Sequence, residues 1–450
     1  MLNSFIKYIQ LQFKNSFAKG SQFLFLVSFV VPITIGTLLF KIPGVYKGEL
    51  SWFNAAYMAT SSVCVTGLAV VPVSEFSFWG QLVMILLVQL GGLGIITISA
   101  WLVLLSGRHF SFDDRLMMST LHDDFSMRNS EKLIKLIVKY TLICEAAGMV
   151  VIFAGCMVSG ESFFAAFWHA IFIAVASFCN AGFSPYPDSV MSMSWISQLG
   201  SSLMILTGSL GIYVIYDFIQ RAIGKRCCLR AHSKLVLLAT GVLLLFSTIT
   251  LYLLENKAGN FLSLFNAYYM SVSGCSAGFN SVNISEFTNV SRALIMFLML
   301  VGGAPGSTAG GLKISTVAVA IAAIWNTVAG NRQVTVFKRA VPMDNVMKAF
   351  AVIFLFGILV IIGSVAVVLS NNYCGSPQRF DYVLFESVSA ICTVGLSLGD
   401  TSTNINEVGK LIIMILMYIG RIGPLTLLLF LLAREKPGKV SYPEERIIIG

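Results

Sequence analysis

The chain has 450 residues, 56% of them hydrophobic and 11% charged, with 30 Lys and Arg against 21 Asp and Glu for a net charge of +9. Soluble domains are roughly a quarter charged, so this composition excludes an ordinary soluble protein and leaves little chain beside a bundle of membrane helices. The nine cysteines, an odd number, do not make a disulfide framework.

Residues 1–20 carry Lys7, Lys14 and Lys19 and read as a cytoplasmic N-terminus. No small-residue cleavage site follows the first apolar run, so that run is expected to stay as a transmembrane helix. A first unit, 21–107, places spans near Phe23–Phe40 and Gln81–Leu105 around a short re-entrant stretch, about Trp52–Leu68. A second, 134–220, places Leu136–Val158 and Ile196–Ile215 around Phe163–Phe183. A third, 232–330, places Leu235–Leu254 and an interrupted Ala293–Ala329 around Leu264–Phe279. A fourth, 346–434, places Ala349–Leu369 and Leu411–Ala433 around Tyr382–Leu396, and 435–450 is a cytoplasmic tail. The expectation is an all-α polytopic membrane protein with eight transmembrane spans.

An even span count puts both termini on one side. That face then carries 22 Lys and Arg against six on the other (Lys41, Lys47, Lys257, Arg292, Arg379 and Lys410), with Lys313 and Arg421 inside spans. The excess marks the cytoplasm and places both termini there. The positive net charge is thus topological, and no nucleic-acid partner is needed to explain it. Glu49, Glu75, Glu161, Asp188, Glu255, Glu286, Asp381, Asp400 and Glu407 fall on the outer face. They either concentrate cations at a pore mouth or simply solvate loops. Only Cys374 lies clearly outside, and Cys227 and Cys228 sit in a cytoplasmic loop where palmitoylation is one reading.

The four re-entrant stretches are built alike. Gly67, Gly182, Gly278 and Gly395 are each preceded at three residues by Cys64, Cys179, Cys275 or Cys392, and at ten by Tyr57, Phe172, Tyr268 or Phe385. Leu68, Phe183, Phe279 or Leu396 follows. From aromatic to cysteine is about 10 Å of helix, too short to cross a bilayer. It fits a half-helix entering from outside and returning as extended backbone, which survives at membrane depth only where protein or a water-filled cavity covers it. A second motif recurs 27 to 29 residues past each loop glycine, ending on Gly94, Gly211, Gly306 and Gly423. Its small residues let helices approach closely. Glu75 and Glu286 both stand eight residues past their loop glycine, within Val73–Phe76 and Ile284–Phe287. Repetition in several features at once indicates four pseudo-repeated helix–pore loop–helix units around one central pore.

The candidate ion filter is Val65, Thr66 and Gly67; Asn180, Ala181 and Gly182; Ser276, Ala277 and Gly278; and Thr393, Val394 and Gly395. The fourth loop resembles the TVGYG filter whose backbone carbonyls replace the hydration shell of potassium, and glycine permits the backbone angles such a ring needs. Thr393, Ser276 and Asn180, two before the glycine, offer side-chain oxygens, whereas Val65 does not, so the ring is expected to be asymmetric. The four cysteines permit a tetrahedral zinc reading, but a thiolate cage would plug the path, and buried cysteines usually pack as small hydrophobes. No structural metal is expected.

In the third unit, Gly302, Gly303, Ala304, Pro305, Gly306, Ser307, Thr308, Ala309, Gly310, Gly311, Leu312 and Lys313 interrupt an apolar span. Proline and five glycines break a helix there, and a broken mid-membrane segment can line a cavity and move. The stretch departs from a phosphate-binding loop, since Leu312 follows Gly311 and no preceding strand is expected. It reads as a gate. Arg421 is a buried cation that needs acceptors. Carbonyls of the broken segment are candidates, with snorkelling to the inner interface as the alternative. Glu145 is another intramembrane ion, with its partner left open, and His169 reads as a hydrogen-bonded packing residue. No zinc-helix, nucleophile-elbow or phosphate-loop motif points to an enzyme.

With these residues in place the chain resembles the Trk, Ktr and HKT superfamily of potassium transporters over nearly its whole length. The loop glycines, Gln89-Leu90-Gly91-Gly92-Leu93-Gly94, Gly302–Leu312, and Gly420-Arg421-Ile422-Gly423-Pro424-Leu425-Thr426 carry the resemblance. Eight spans and the short tail from Tyr442 look like the Ktr membrane subunit more than bacterial Trk subunits with two extra helices. The resemblance implies potassium uptake across the cell membrane, a homodimer with one pore per subunit, a cytosolic ring of nucleotide-binding regulatory subunits, and often stimulation by sodium. Serine replaces the first loop glycine in sodium-preferring plant relatives, so Gly67 argues for potassium over a sodium or nonselective pathway. Cysteine three before every loop glycine departs from the family's pattern. An inside potential of about −100 mV drives cation entry by about 2.3 kcal/mol per charge.

Overall fold

The computed structural model describes residues 17–94, 130–224, 228–331, 333–375, 377–399 and 404–423. Residues 1–16, the end of the second expected span to Leu105, the loop beyond it, Cys227, Asp400, the end of the eighth span and the tail lie outside the described residues.

The described chain is helical apart from two pairs of two-residue strands. Grouped by the four expected units, α1 (Phe17–Phe40), α2 (Trp52–Val63) and α3 (Phe78–Leu93) fall in unit one, with α2 at the place of the expected pore helix. Unit two holds α4 (Ser130–Val158), α5 (Phe163–Cys179), α6 (Trp195–Ser209) and α7 (Ile212–Ala222). Unit three holds α8 (Ala231–Ala258), α9 (Leu264–Ser276), α10 (Asn289–Leu300) and α11 (Ile314–Val328). Unit four holds α12 (Met343–Tyr373), α13 (Phe380–Ile391) and α14 (Glu407–Ile422). Strand β1 (Val301–Gly302) pairs in parallel with β2 (Leu312–Lys313), and β3 (Thr335–Val336) pairs antiparallel with β4 (Arg339–Ala340).

Short helices start where the sequence supplies caps. Ser51 and Ser263 accept from the third residue of the pore helices α2 and α9, and Ser77, Ser194, Thr288 and Asn406 do the same for the second helices. Each such cap satisfies an orphan N–H. The pore helices form the buried centre, with Tyr57, Phe172 and Phe385 almost wholly enclosed. The third unit is out of phase by one residue: Tyr269 is fully buried while Tyr268 is only half-buried. The long helices surround this centre with apolar faces, such as Leu245 and Phe354, turned outward.

Among the described residues, three helices are long and apolar enough to cross a membrane: Ile134–Val158, Ala231–Ala258 and Met343–Tyr373. The pair α6 and α7 is a fourth if counted together, bent by 93°. This corrects the expectation of a continuous helix over Ile196–Ile215. Gly211 has φ +77 and ends the helical path. The freed groups find partners on the 302–313 segment: Ile212 donates to the Gly306 carbonyl at 3.1 Å, and Ala304 donates to the Ser209 carbonyl at 2.8 Å. Kinks of this size need such replacement partners. The last glycines of the other three copies of the motif, Gly94, Gly306 and Gly423, also have positive φ (+82, +70 and +93). In units one, two and four the motif therefore stops the helix as well as permitting close packing, whereas α10 already ends at Leu300, before the motif begins. Val73–Glu75 and Ile284–Glu286 both form 3-10 turns.

Candidate pore filter and its underlying loop

The four pore helices end in two ways. In units one, two and four, the residue two before the loop glycine is left-handed: Val65 at φ +56, Asn180 at +61 and Thr393 at +49. The next N–H then returns to the carbonyl five residues back, as Thr66 to Ser61, Ala181 to Ala176 and Val394 to Ser389, at 2.8–2.9 Å. This is a Schellman-type closure, normally built on glycine. β-Branched Val65 and Thr393 hold it at a cost of about 1–3 kcal/mol each, strain of a kind that collects at functional sites. In unit three Ser276 stays helical, and Ala277 and Gly278 both donate to the Ser273 carbonyl. The asymmetry expected from Val65 thus has a second source, the backbone of the third loop.

Beyond these ends the loops meet in a closed cycle. All four loop glycines have positive φ: +88 at Gly67, +65 at Gly182, +80 at Gly278 and +98 at Gly395. A methyl group built on Gly67 would overlap the Ala181 carbonyl oxygen, on Gly278 that of Val394, and on Gly395 that of Thr66; on Gly182 it would lie 2.6 Å from that of Ala277. Each glycine is thus pressed on the next loop's carbonyl, in the order one, two, three, four and back to one. Both the angles and the crowding demand glycine.

The side chains at these positions differ. The Thr66 and Thr393 hydroxyls are buried with no hydrogen-bond partner among the described residues. The Asn180 amide is occupied: its oxygen accepts from Ser276 at 3.0 Å and lies 3.2 Å from Ser209 Oγ, whose proton is shared with the Ile205 carbonyl at 2.7 Å, and its nitrogen donates to Thr308 Oγ1 at 2.7 Å. It and Ser276 therefore hold each other instead of offering free oxygens. Cys64, Cys179 and Cys392 are fully buried and Cys275 partly so. Among the described residues no group of three or more His, Cys, Asp or Glu side chains is placed to hold a metal. Cys179 Sγ packs 3.4 Å from Gln89 Oε1.

The 302–313 loop lies against the ends of the pore helices, next to carbonyls that precede the glycines. Thr308 Oγ1 donates to the Phe178 carbonyl at 2.9 Å, with the Gly208 carbonyl at 3.2 Å. A methyl group on Gly310 would overlap Thr393 Oγ1 and lie 2.6 Å from the Cys392 carbonyl. The strands β1 and β2 pinch the loop at its neck, with Val301 opposite Leu312 and Gly302 opposite Lys313. This two-residue strand was not expected before Gly302. Lys313 Nζ donates across the loop to the Ala309 carbonyl at 2.6 Å. Arg421 donates to the Thr308 carbonyl at 2.7 Å and to the Gly91 carbonyl, with that of Gly92 at 3.5 Å. Gly91 and Gly92 belong to the last turn of α3, where carbonyls lack intrahelical partners and the helix dipole is negative. Arg421 thus meets the need for acceptors with carbonyls, and no ion pair involves it among the described residues.

The second helices seat on the pore helices through the motif's first glycine. Methyl groups on Gly91, Gly208 and Gly420 would overlap the carbonyl oxygens of Val63, Phe178 and Ile391, each four residues before its own loop glycine. In unit three Gly303 faces Ala309, Ser209 and Ser307 instead.

Outside the ring, His169 bonds Glu161 at 2.8 Å and stacks edge-on against Tyr186. Glu145 is buried on α4, and its Oε1 has no hydrogen-bond partner among the described residues. Glu255, expected as one of the outer-face carboxylates, is buried and spent on structure: it accepts from the Thr288 backbone at 3.1 Å and hydroxyl at 2.9 Å, and from Asn260. Its position at the end of α8, against the start of α10, is what encloses it. The sequence did not expose this, nor the Asn180–Thr308 contact between residues 128 apart.

The family described as TrkH, cation transport protein, matches residues 30–439. The chain is similar to Ktr system potassium uptake protein B of Vibrio alginolyticus, 34% identical over 97% of each chain. It is also similar to the potassium/sodium uptake protein NtpJ of Enterococcus hirae, 31% identical over 94% of this chain and 95% of that one. The crystal structure of the potassium transporter TrkH from Vibrio parahaemolyticus superposes with a TM-score of 0.72 at 16% identity, covering 92% of this chain and 85% of that chain. At that identity the likeness speaks for the fold. The chain is a membrane protein that belongs to the TrkH family of cation transport proteins, a family of transporters and not of enzymes.

Proposed function

We propose that this protein takes up potassium ions across the cell membrane through the four-loop ring, with the 302–313 loop as its gate. The observation that carries the reading is the cyclic seating of each loop glycine on the next loop's carbonyl. Four backbone oxygens at one level can replace part of an ion's hydration shell. The buried, unpaired hydroxyls of Thr66 and Thr393 add to this. Such groups cost about 1–3 kcal/mol each when unmatched, and a dehydrated cation would recover that cost. The names of the Vibrio alginolyticus and Enterococcus hirae relatives also favour potassium.

The gate reading draws on the loop's position against the Phe178 and Cys392 carbonyls and on the two part-buried cations beside it, Lys313 and Arg421. Positive charge on the inner side of a cation filter opposes passage, so movement of the loop and Arg421 would open the path. With this go eight spans in four repeated units, both termini in the cytoplasm, a homodimer with one pore per subunit, and a cytosolic ring of nucleotide-binding subunits acting on the gate. A sodium contribution is the second reading, favoured by the side chain of Val65, which has no oxygen, and by the name of the Enterococcus hirae relative. Tracer flux into proteoliposomes, comparing potassium, rubidium and sodium, tests the proposal. Potassium and rubidium should enter well ahead of sodium. Sodium entry equal to potassium entry would replace the potassium reading with a nonselective one.

A further inference from the structure

The residue two before the loop glycine differs in all four units, and in unit two its side chain is committed. Asn180 is 1% exposed. Thr308 Oγ1 has one proton, which goes to the Phe178 or Gly208 carbonyl, so it accepts from Asn180 Nδ2 at 2.7 Å. This fixes the amide's orientation and turns Asn180 Oδ1 toward the hydroxyls of Ser276 at 3.0 Å and Ser209 at 3.2 Å. Those hydroxyls are themselves 3.0 Å apart. One amide therefore joins two adjacent filter loops, the last residue of α6 before the bend, and the 302–313 loop. The equivalent Val65 has no polar atom, and Thr393 Oγ1 has no partner among the described residues. Thr308 is held from its other side as well, since its carbonyl accepts from Arg421.

We propose that Asn180 is a positioning residue that ties the filter to the gate, so that ion discrimination depends on the state of the loop. With Thr308 in place, the amide holds the second and third filter loops at one spacing. A movement of the loop that keeps Thr308 on Asn180 preserves that spacing, so the conducting protein stays selective; loss of Thr308 leaves the Ser276 contact alone, which no longer fixes it. The proposal rests on reading 302–313 as the gate. It assigns Asn180 no direct ion contact, because both amide atoms are engaged.

The test is a double-mutant cycle in proteoliposomes, reading the potassium-to-sodium flux ratio as well as the potassium rate. Thr308→Val removes the hydroxyl at nearly constant volume and should lower the ratio by about three- to tenfold, the span of one lost buried hydrogen bond. Thr308→Ser should stay within about twofold of the parent protein, because it keeps the oxygen. Asn180→Leu should lower the ratio similarly, and adding Thr308→Val to it should lower it no further, as expected of coupled neighbours. If Thr308→Val does not yield monodisperse protein, Thr308→Ala takes its place. A Thr308 variant with an unchanged ratio, or effects that multiply in the double variant, would overturn the tether. Failure of the gate reading shows separately: deleting Ala304–Gly310 would then leave the potassium rate unchanged, while the ratio cycle still decides the role of Asn180.

Discussion

Replacing Gly67 by serine perturbs the ring at one point and has a calculable cost. Gly67 sits at φ +88, where an L-residue is disfavoured by roughly 1–2 kcal/mol. Its new Cβ would also overlap the Ala181 carbonyl oxygen, so the first two loops cannot both keep their places. If only the backbone term is expressed as lost preference for potassium, the ratio falls by about tenfold, since 1.4 kcal/mol is a factor of ten. The overlap adds to this, and the serine hydroxyl supplies an oxygen that competes with the carbonyls. Gly330→Ser is the control. Gly330 has φ +72 but nothing within 4 Å of a built methyl group. It bears the same backbone cost without touching the ring, so it should lower stability and leave the ratio within about twofold. Uptake of both ions in cells lacking other potassium transporters, with protein abundance measured in parallel, gives the comparison. A well-folded Gly67→Ser protein with the parent's ratio would remove Gly67 from the filter.

Deleting Ala304–Gly310 should raise potassium flux and weaken control by a cytosolic partner, with selectivity altered only to the extent that Asn180 loses Thr308. A fully regulated, parent-like flux would rule the gate out. Arg421→Ala should act in the same direction but less strongly, because Lys313 remains tied across the loop; flux below the parent at normal abundance would count against it. Single Cys→Ser changes at Cys64, Cys179, Cys275 or Cys392 should reduce stability or flux modestly, and purified protein should contain no stoichiometric zinc. Bound metal lost with any one cysteine would restore the metal reading. Glu255→Ala strips the hydrogen bonds that hold the start of α10 and should destabilise the protein by about 1.5–3 kcal/mol; an unchanged thermal midpoint would show that Glu255 is dispensable for packing.

Much of the ring was legible because its requirements are local. A left-handed glycine is replaceable by almost nothing else, so Gly67, Gly182, Gly278 and Gly395 announce themselves by spacing alone. The pore helices were equally visible, since about 10 Å of helix from aromatic to cysteine is too short to cross a bilayer. The bend after Ser209 was hidden because its cause is remote: Gly211 permits it, but the 302–313 loop supplies the partners that stabilise it. Glu255 was misjudged for the same reason. Sequence placed it on the outer face, and only the packing of α8 beside α10 shows that it is enclosed. Ser276 read as one of four alike, yet it stays helical while its three counterparts do not. Nothing in its identity forbids either conformation, so tertiary fit decides.

On this reading the four loop carbonyls together bind a dehydrated potassium ion. Anomalous diffraction from crystals grown with rubidium tests it most directly, because rubidium substitutes for potassium and is located without reference to the protein's chemistry. A rubidium peak should appear enclosed by Thr66, Ala181, Ala277 and Val394, weakened when sodium replaces rubidium and lost in Gly67→Ser. Rubidium bound elsewhere, with none in that ring in protein that still transports, would contradict it.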